Sequence, residues 1–521
     1  MSRVALIVLD GFGITRIEEG NAVLLAKTPN LDKIYKSFPK ALLNASSQEV
    51  GLGWGEVGNS EVGHTNIGLG RIVLQDLPQI DKAIASNSVV SRPTTVEINN
   101  ILTEKQSCLN LMCIFSDGGV HGHINHLISF IEIFKHAPGL KKIYLHLFAD
   151  GRDCPEKSIE KYIKQIDSQL SEKVEIASLS GRYFAMDRDK NWDRVSLAYA
   201  AIFGQSPRKF SSISEAVEDS YTKKETDEFI TPCSLSDYKP DLENDVFVFL
   251  NFRADRALQL TRCFVDGKFE DFERYGEAKH FYTLTTYDDN LAAKVFFSNI
   301  DLNDPETNPL SNSMAKLIAD NNQTQFHVGE TEKFAHVTYF FSGGIKDPFS
   351  GQENKLVPSA KVKSHDMYPQ MRAKEITSEI IFAVQKGFDF VVANYANGDM
   401  VGHSGNLEAS VTAVETLDFY VTTAISELLK NEYSVFLTAD HGNCDEMIDL
   451  KSKKSNKEHS LNPVPFIYIS KSSVGSYTSK NEFFSSQPIG ILADIAPTIL
   501  AELGIETVGE MTGISLKESL S

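Results

Sequence analysis

Positive charge is scarce in this sequence. Its 521 residues carry 51 Lys and Arg against 70 Asp and Glu, a formal net charge of −19 at pH 7. That balance argues against nucleic acid or an anionic membrane surface as a partner reached by global attraction. Long apolar runs are also missing. None approaches the ~20 residues of a membrane span, and the run Val4–Leu9 is too short for a secretory signal and has no cleavage-like site after it. The six cysteines, Cys108, Cys113, Cys154, Cys233, Cys263 and Cys444, include no Cys-x-x-Cys pair and give no disulfide framework. The expectation is a cytoplasmic chain with reduced thiols, without repeats or low-complexity tracts. At 42% hydrophobic and 23% charged residues the composition is that of a globular protein. The length exceeds one domain of roughly 100–200 residues, so two or more are expected. Any anionic ligand must meet positive charge gathered locally.

Short β-branched runs alternate with helix-period segments, the rhythm of an α/β fold with buried parallel strands. Expected strands are Val4–Leu9, Leu111–Phe115, Ile143–Phe148, Val246–Leu250, Phe390–Asn394, Ser434–Thr438 and Pro465–Ile469. The clearest helix spans Leu407–Leu429, where Val411, Val414, Leu417, Val421, Ile425 and Leu428 recur every three or four residues. Proline and polar punctuation at Gln75–Pro78 and Asn303–Pro309 marks domain boundaries.

Asp and His residues collect at the ends of these strands. Asp10 ends the first and is followed by Gly11-Phe12-Gly13, and Asp440-His441-Gly442 follows another. Asp399 and His403 form Asp-x-x-x-His after Phe390–Asn394, and His459 precedes the last strand. Ligands of open α/β sheets bind at strand C-termini. A lone Asp there is more often a turn or cap residue, and a lone His a surface one. Three Asp and three His so placed fit two metal ions about 3.5–4 Å apart that clamp a phosphoryl transfer. Ser60, in Gly58-Asn59-Ser60-Glu61, is the candidate nucleophile, with a plain helix N-cap as its alternative. Gly53-x-Gly55-x-x-Gly58 has the form of a dinucleotide fingerprint but lacks an adjoining strand and an amphipathic helix.

The middle third gathers arginines beside aspartates: Asp150-Gly151-Arg152-Asp153, Gly181-Arg182 through Asp187-Arg188-Asp189, and Arg253-Ala254-Asp255-Arg256. One such pair reads as surface ion pairing; three at strand ends read as an anion pocket. Among His121, His123 and His126, the first is expected to touch substrate and the others to be structural.

Taken together, these strings resemble the cofactor-independent phosphoglycerate mutases of the alkaline phosphatase superfamily. The resemblance runs end to end and in order: VLDGFG, VGNSEVGHTNIGLGR, SDGGVHGHINH, FADGRD, SGRYFAMDRD, NFRADR, EKFAHVTYFF, NYANGDMVGHSG, LTADHGNCDEM and HSLNPVPF. Gly122 and Cys444-Asp445 depart from the family pattern without touching an expected ligand. The resemblance implies an alkaline-phosphatase-like three-layer α/β domain, residues 1–75 plus 304–521, with a second α/β phosphotransferase domain, residues 76–303, inserted in it. It implies Ser60 as the phosphorylated nucleophile, with Asp10, Ser60, Asp440 and His441 on one ion and Asp399, His403 and His459 on the other. His121, Arg152, Asp153, Arg182, Arg188, Arg253, Arg256 and Lys333 would hold phosphoglycerate, and closure of the inserted domain would retain glycerate. The expected activity is interconversion of 3- and 2-phosphoglycerate without 2,3-bisphosphoglycerate, by a cytoplasmic monomer. Mixed carboxylate and imidazole ligands suit Mn²⁺, with Zn²⁺, Co²⁺ or Mg²⁺ as alternatives. A metal-dependent phosphatase or phosphopentomutase, a non-catalytic binding protein and a nicotinamide-dependent enzyme are the competing readings.

Overall fold

The computed structural model describes residues 2–297 and 312–520. The chain divides into two compact units, Met1–Gln75 with Asn303–Ser521, and Asp76–Leu302. The punctuation at Asn303–Pro309 lies outside the described residues.

The first unit is built on an eight-stranded sheet. Its order is Gln352–Val357, Gln325–Glu330, Phe390–Tyr395, Arg3–Leu9, Tyr433–Thr438, Val464–Ile469, Lys40–Asn44 and Gly490–Ile491. The first five strands are parallel, and Val464–Ile469 runs antiparallel to both of its neighbours. Val4 to Leu9 are buried on both faces, as an uninterrupted apolar run in a parallel sheet requires. Arg3–Leu9 lies between Phe390–Tyr395 and Tyr433–Thr438, with Leu9 opposite Tyr395 and Val8 opposite Thr438. The residues that follow these three strands are therefore brought together at one sheet edge.

The helix Leu407–Lys430 has Asn406 as its cap, whose side chain accepts from Ala409 N, and buries Val414, Leu417, Val421, Ile425 and Leu428 as the period predicts. Buried Asp418 on the same helix accepts from the N–H groups of Asn30 and Leu31 at 3.0 and 2.7 Å. Those groups belong to the unsatisfied first turn of the helix Pro29–Ser37.

The second unit has a seven-stranded sheet ordered Cys233–Ser234, Val174–Gly181, Ile143–Ala149, Leu109–Phe115, Val246–Phe249, His280–Thr285 and Lys294–Phe297. All pairings are parallel except that of the two-residue edge strand Cys233–Ser234. Asp150, Arg182 and Arg253 follow the C-terminal ends of three of its strands.

Candidate metal centre and anion site

Ser60 is the first residue of the helix Ser60–Leu69, and the cap is Asn59, whose side chain accepts from Val62 N at 3.0 Å. This settles the capping alternative: the Ser60 hydroxyl is released from capping and turned inward. A helix does follow the Gly53–Gly58 segment, but it is buried on nearly every face, and a 3-10 turn, Ser47–Val50, rather than a strand leads into the segment. Ser60 Oγ donates to Asp10 Oδ1 at 3.1 Å and lies 2.9 Å from His441 Nε2. Lys333 Nζ donates to Ser60 Oγ at 2.5 Å, to Asp10 Oδ1 at 2.7 Å and to Asp399 Oδ2 at 2.6 Å.

Two glycines permit this density. Gly11 has φ +70°, and a Cβ there would stand 2.6 Å from the Asp399 Cα. A Cβ on Gly63 would stand 2.7 Å from the Asp440 carbonyl oxygen, so only glycine lets the Ser60 helix approach that loop.

Asp399 and His403 sit one turn apart in Asn397–Gly402 and its C-cap, with Oδ1 and Nε2 3.3 Å apart. His459 Nε2 is 3.1 Å from the same oxygen and 3.0 Å from His403 Nε2. Asn443 Nδ2 also donates to it, at 3.2 Å. Asp440 Oδ2, fully buried, lies 3.2 Å from His64 Nδ1 and 3.6 Å from His441 Nε2. Side-chain atoms of the types that can hold a metal ion form three overlapping groups: Asp399, His403 and His459; Asp10, Asp399 and His441; and Asp10, His64 and Asp440.

This donor set fits divalent cations. Buried carboxylates gathered around a single ammonium, with imidazole nitrogens facing them, are the hard and borderline donors that a divalent-metal centre uses. Burial opposes ionisation of Asp10, and the neighbouring Asp440 charge adds to this, so its pKa is raised. Burial opposes ionisation of Asp399 as well, but Lys333, His403 and His459 outweigh it and hold the carboxyl well below its usual range. Asp440 is lowered likewise, with His441 and His64 overcoming burial. Burial would discharge Lys333, yet Asp10, Asp399 and Asp440 raise its pKa, and it stays an ammonium.

In the second unit Arg182, 3% exposed, donates through Nη1 to Asp150 Oδ1 at 2.5 Å and to Asp153 Oδ2 at 2.6 Å. Asp150 also accepts from Ser116 Oγ at 2.6 Å. Arg152 pairs with Glu228 at 3.4 Å rather than with the aspartates of its own motif. Arg188 and Arg253 reach Asp255 at 3.5 and 3.2 Å, and His121 Nδ1 lies 3.5 Å from it. Arg256 donates to the Met186 carbonyl at 3.2 Å, and its pKa is lowered by burial and by Arg182, Arg188 and Arg152 around it. Those charges mark a cluster of guanidinium groups. Burial, with Arg182 next, pushes His121 down to about 4, so the ring is neutral. His126 is buried against Asp81 at 2.9 Å, in keeping with a structural role.

The two units divide the expected residues. Asp10, Ser60, Lys333, Asp399, His403, Asp440, His441 and His459 meet in the first; His121, Arg152, Asp153, Arg182, Arg188, Arg253 and Arg256 lie in the second. Lys333, which the resemblance implies as a contact of phosphoglycerate, lies in the first unit, where its ammonium bridges Asp10, Ser60 and Asp399. Sequence reasoning assigned nothing to His64, Asn394 or Asn443.

Residues 2–507 match the metalloenzyme superfamily, and the chain belongs to it. Its donor clusters are those of a divalent-metal enzyme. Within that class, the chain belongs to the family of 2,3-bisphosphoglycerate-independent phosphoglycerate mutases. It is 43% identical to the enzyme of that name from Clostridioides difficile (strain 630) over 523 residues, 98% of each chain. The enzyme of the same name from Pseudomonas syringae pv. tomato is 42% identical, again over 98% of each. A crystal structure of Leishmania mexicana phosphoglycerate mutase at low cobalt concentration is 29% identical with a TM-score of 0.61, covering 98% of this chain and 97% of its own. The α/β architecture with two parallel-dominated sheets agrees with that relationship. Among the described residues no helix is long and apolar enough to cross a membrane.

Proposed function

We propose that this protein interconverts 3-phosphoglycerate and 2-phosphoglycerate without 2,3-bisphosphoglycerate, passing the phosphoryl group through Ser60. The observation that carries this reading is the placement of Ser60 Oγ, 2.5 Å from Lys333 Nζ and 2.9 Å from His441 Nε2 beside the buried carboxylates. Asp10, Ser60, Asp440 and His441 would hold one ion, and Asp399, His403 and His459 the other. Bound there, two divalent ions supply Lewis-acid neutralisation of phosphoryl oxygens and stabilise the serine alkoxide. Mixed carboxylate and imidazole donors favour Mn²⁺, with Zn²⁺, Co²⁺ and Mg²⁺ as alternatives.

The chain's own residues do the rest. Lys333, kept protonated by its carboxylates, donates to Ser60 Oγ and favours the charged oxygen as it attacks phosphorus. The phosphorus–oxygen bond to substrate breaks, leaving phosphoserine and glycerate. Glycerate then presents its other hydroxyl, which takes the phosphoryl group back and regenerates Ser60. We assign Arg152, Arg182, Arg188, Arg253 and Arg256, with His121 and Asp153, to holding the anionic substrate and retaining glycerate against hydrolysis. Residues 1–75 plus 304–521 would thus be the metal-binding domain and 76–303 the inserted substrate-binding domain. The resemblance to the family supports a cytoplasmic monomer. The net charge of −19 supports a small-molecule partner over nucleic acid.

The test incubates the Mn²⁺-loaded protein with 3-phosphoglycerate and no bisphosphoglycerate, beside Ser60→Ala. Formation of 2-phosphoglycerate by the wild type alone is expected. Release of free phosphate in its place would make the protein a phosphatase.

A further inference from the structure

Two buried polar side chains outside the assigned ligand sets lean directly on them. Asn394, on the strand Phe390–Tyr395, donates through Nδ2 to Asp10 Oδ2 at 2.7 Å and faces His64 Nε2 at 3.2 Å. His64, one turn into the helix Ser60–Leu69, has its Nδ1 2.9 Å from the Ser60 carbonyl oxygen and 3.2 Å from Asp440 Oδ2. Both side chains are fully buried.

The proton positions follow from chemistry. An amide nitrogen only donates, so His64 Nε2 accepts and the ring proton resides on Nδ1, aimed at the Ser60 carbonyl and Asp440. Turning the Asn394 amide over would set its oxygen against the Asp10 carboxylate, acceptor against acceptor. With Nε2 facing a donor and Nδ1 carrying the proton, His64 has no lone pair to offer an ion, although it lies close to Asp10 and Asp440. His336 packs over the ring, centroids 5.6 Å apart.

We propose that Asn394 and His64 are positioning residues that hold Asp10, Ser60 and Asp440 in the geometry that binds one ion of the pair and leave the other ion to its own ligands. The proposal rests on the two-ion reading above. By holding Oδ2 of Asp10, Asn394 leaves Oδ1 facing Ser60 Oγ, 3.1 Å away. By joining the Ser60 carbonyl to Asp440, His64 ties the start of the nucleophile's helix to the ligand at the end of the neighbouring strand. Among the described residues no hydrogen bond or ion pair links Asn394 or His64 to Asp399, His403 or His459. Loss of such supporting contacts typically costs 10–100-fold in metal affinity.

The test is Mn²⁺ binding to the metal-stripped full chain, read from the electron paramagnetic resonance of free Mn²⁺, with thermal unfolding alongside. His64→Gln lacks the donor at the Nδ1 position, His64→Asn restores an N–H there, and Asn394→Leu keeps volume but removes the donor to Asp10. His64→Gln and Asn394→Leu are expected to weaken one Mn²⁺ by about 10–100-fold and leave the other within about twofold, and His64→Asn to recover most of the loss. Adding His459→Gln, which removes a ligand of the other ion, should then weaken the remaining site too. Unchanged affinities, equal weakening of both ions, or a His64→Asn as weak as His64→Gln would overturn the proposal. If His64→Gln does not fold, Asn394→Leu and His64→Asn decide on the same terms. A wild type that binds fewer than two Mn²⁺ would instead overturn the two-ion reading.

Discussion

The Nε2 atoms of His403 and His459 face each other at 3.0 Å, with Asp399 Oδ1 within 3.3 Å of both. Each Nδ1 meets a backbone carbonyl, Lys457 O at 2.8 Å and Gly58 O at 2.7 Å, so each Nδ1 carries a proton and both Nε2 lone pairs point at one place. A cation or a proton must occupy that place.

Without metal, protons take that role, and this sets a pH dependence. The hydrogen bond to Asp399 raises His403, and Asp399 overcomes burial to raise His459. A His raised above its unfolded value near 6.5 stabilises the fold below that value and loses the contribution as pH rises through the folded pKa. Metal binding runs the other way, because the ion displaces those protons. Mn²⁺ affinity is expected to rise from about pH 6 to about pH 8, and with it the gain in melting temperature on adding Mn²⁺. Titration calorimetry showing a pH-independent affinity would contradict this.

Lys333→Met removes the cation between Asp10 and Asp399. Uncompensated buried carboxylates cost about 3–5 kcal/mol, so the metal-free variant should unfold at markedly lower denaturant than the wild type. Mn²⁺ neutralises the same carboxylates and should restore most of that stability. Activity of the loaded variant should still fall about 10²–10³-fold, since the donor to Ser60 Oγ is gone. Chemical denaturation with and without Mn²⁺ checks the first part, and the coupled mutase assay the second.

The placement of the candidate ligands can be read from the sequence because they follow short, largely apolar strands. Val4–Leu9 and Tyr433–Thr438 announce themselves by composition, and the residues after them fall at one edge of the sheet whatever the loops do. Edge and mixed strands were harder. Gln352–Val357 is largely exposed, and Val174–Gly181 includes Ser178 and Ser180, so neither has an apolar run to mark it. The supporting layer was missed for a related reason. His64 sits in a helix with no apolar stripe, and Asn394 reads as the end of a strand. A buried amide inside an otherwise apolar parallel strand is itself a signal, because it must find partners.

The arginines of the second unit should separate into two kinds. Arg182 is buried between Asp150 and Asp153, and Arg182→Leu should cost about 3–5 kcal/mol of stability by stranding them. Arg152 is 59% exposed with a long contact to Glu228, so Arg152→Ala should change stability by under about 0.5 kcal/mol. If it binds substrate, KM for phosphoglycerate should rise about tenfold or more. Urea denaturation and steady-state kinetics on the two variants measure both.

Buried His146 carries a second pH dependence, of opposite sign to that of His403. Its Nε2 donates to Asn110 Oδ1 at 3.0 Å and its Nδ1 accepts from Ser178 Oγ at 2.9 Å, and burial lowers it to about 3. The unfolded chain takes up this proton near pH 6.5 and the folded one does not. Stability therefore falls by about 1.4 kcal/mol per pH unit as pH drops below 6.5, until the folded pKa is reached. His146→Gln keeps the donor to Asn110, and its loss of stability between about pH 7 and pH 5 should be smaller than that of the wild type. Equal losses in denaturant titrations would exclude His146 as a source of acid lability.

The central claim is that the phosphoryl group passes through Ser60. Rapid acid quench of the Mn²⁺-loaded protein with phosphate-labelled 3-phosphoglycerate, followed by peptide mapping, tests it most directly. The account predicts label on the Ser60 peptide during turnover, appearing in 2-phosphoglycerate and absent from Ser60→Ala. A wild type that forms 2-phosphoglycerate with no label on Ser60, or a Ser60→Ala that keeps its activity, would contradict it.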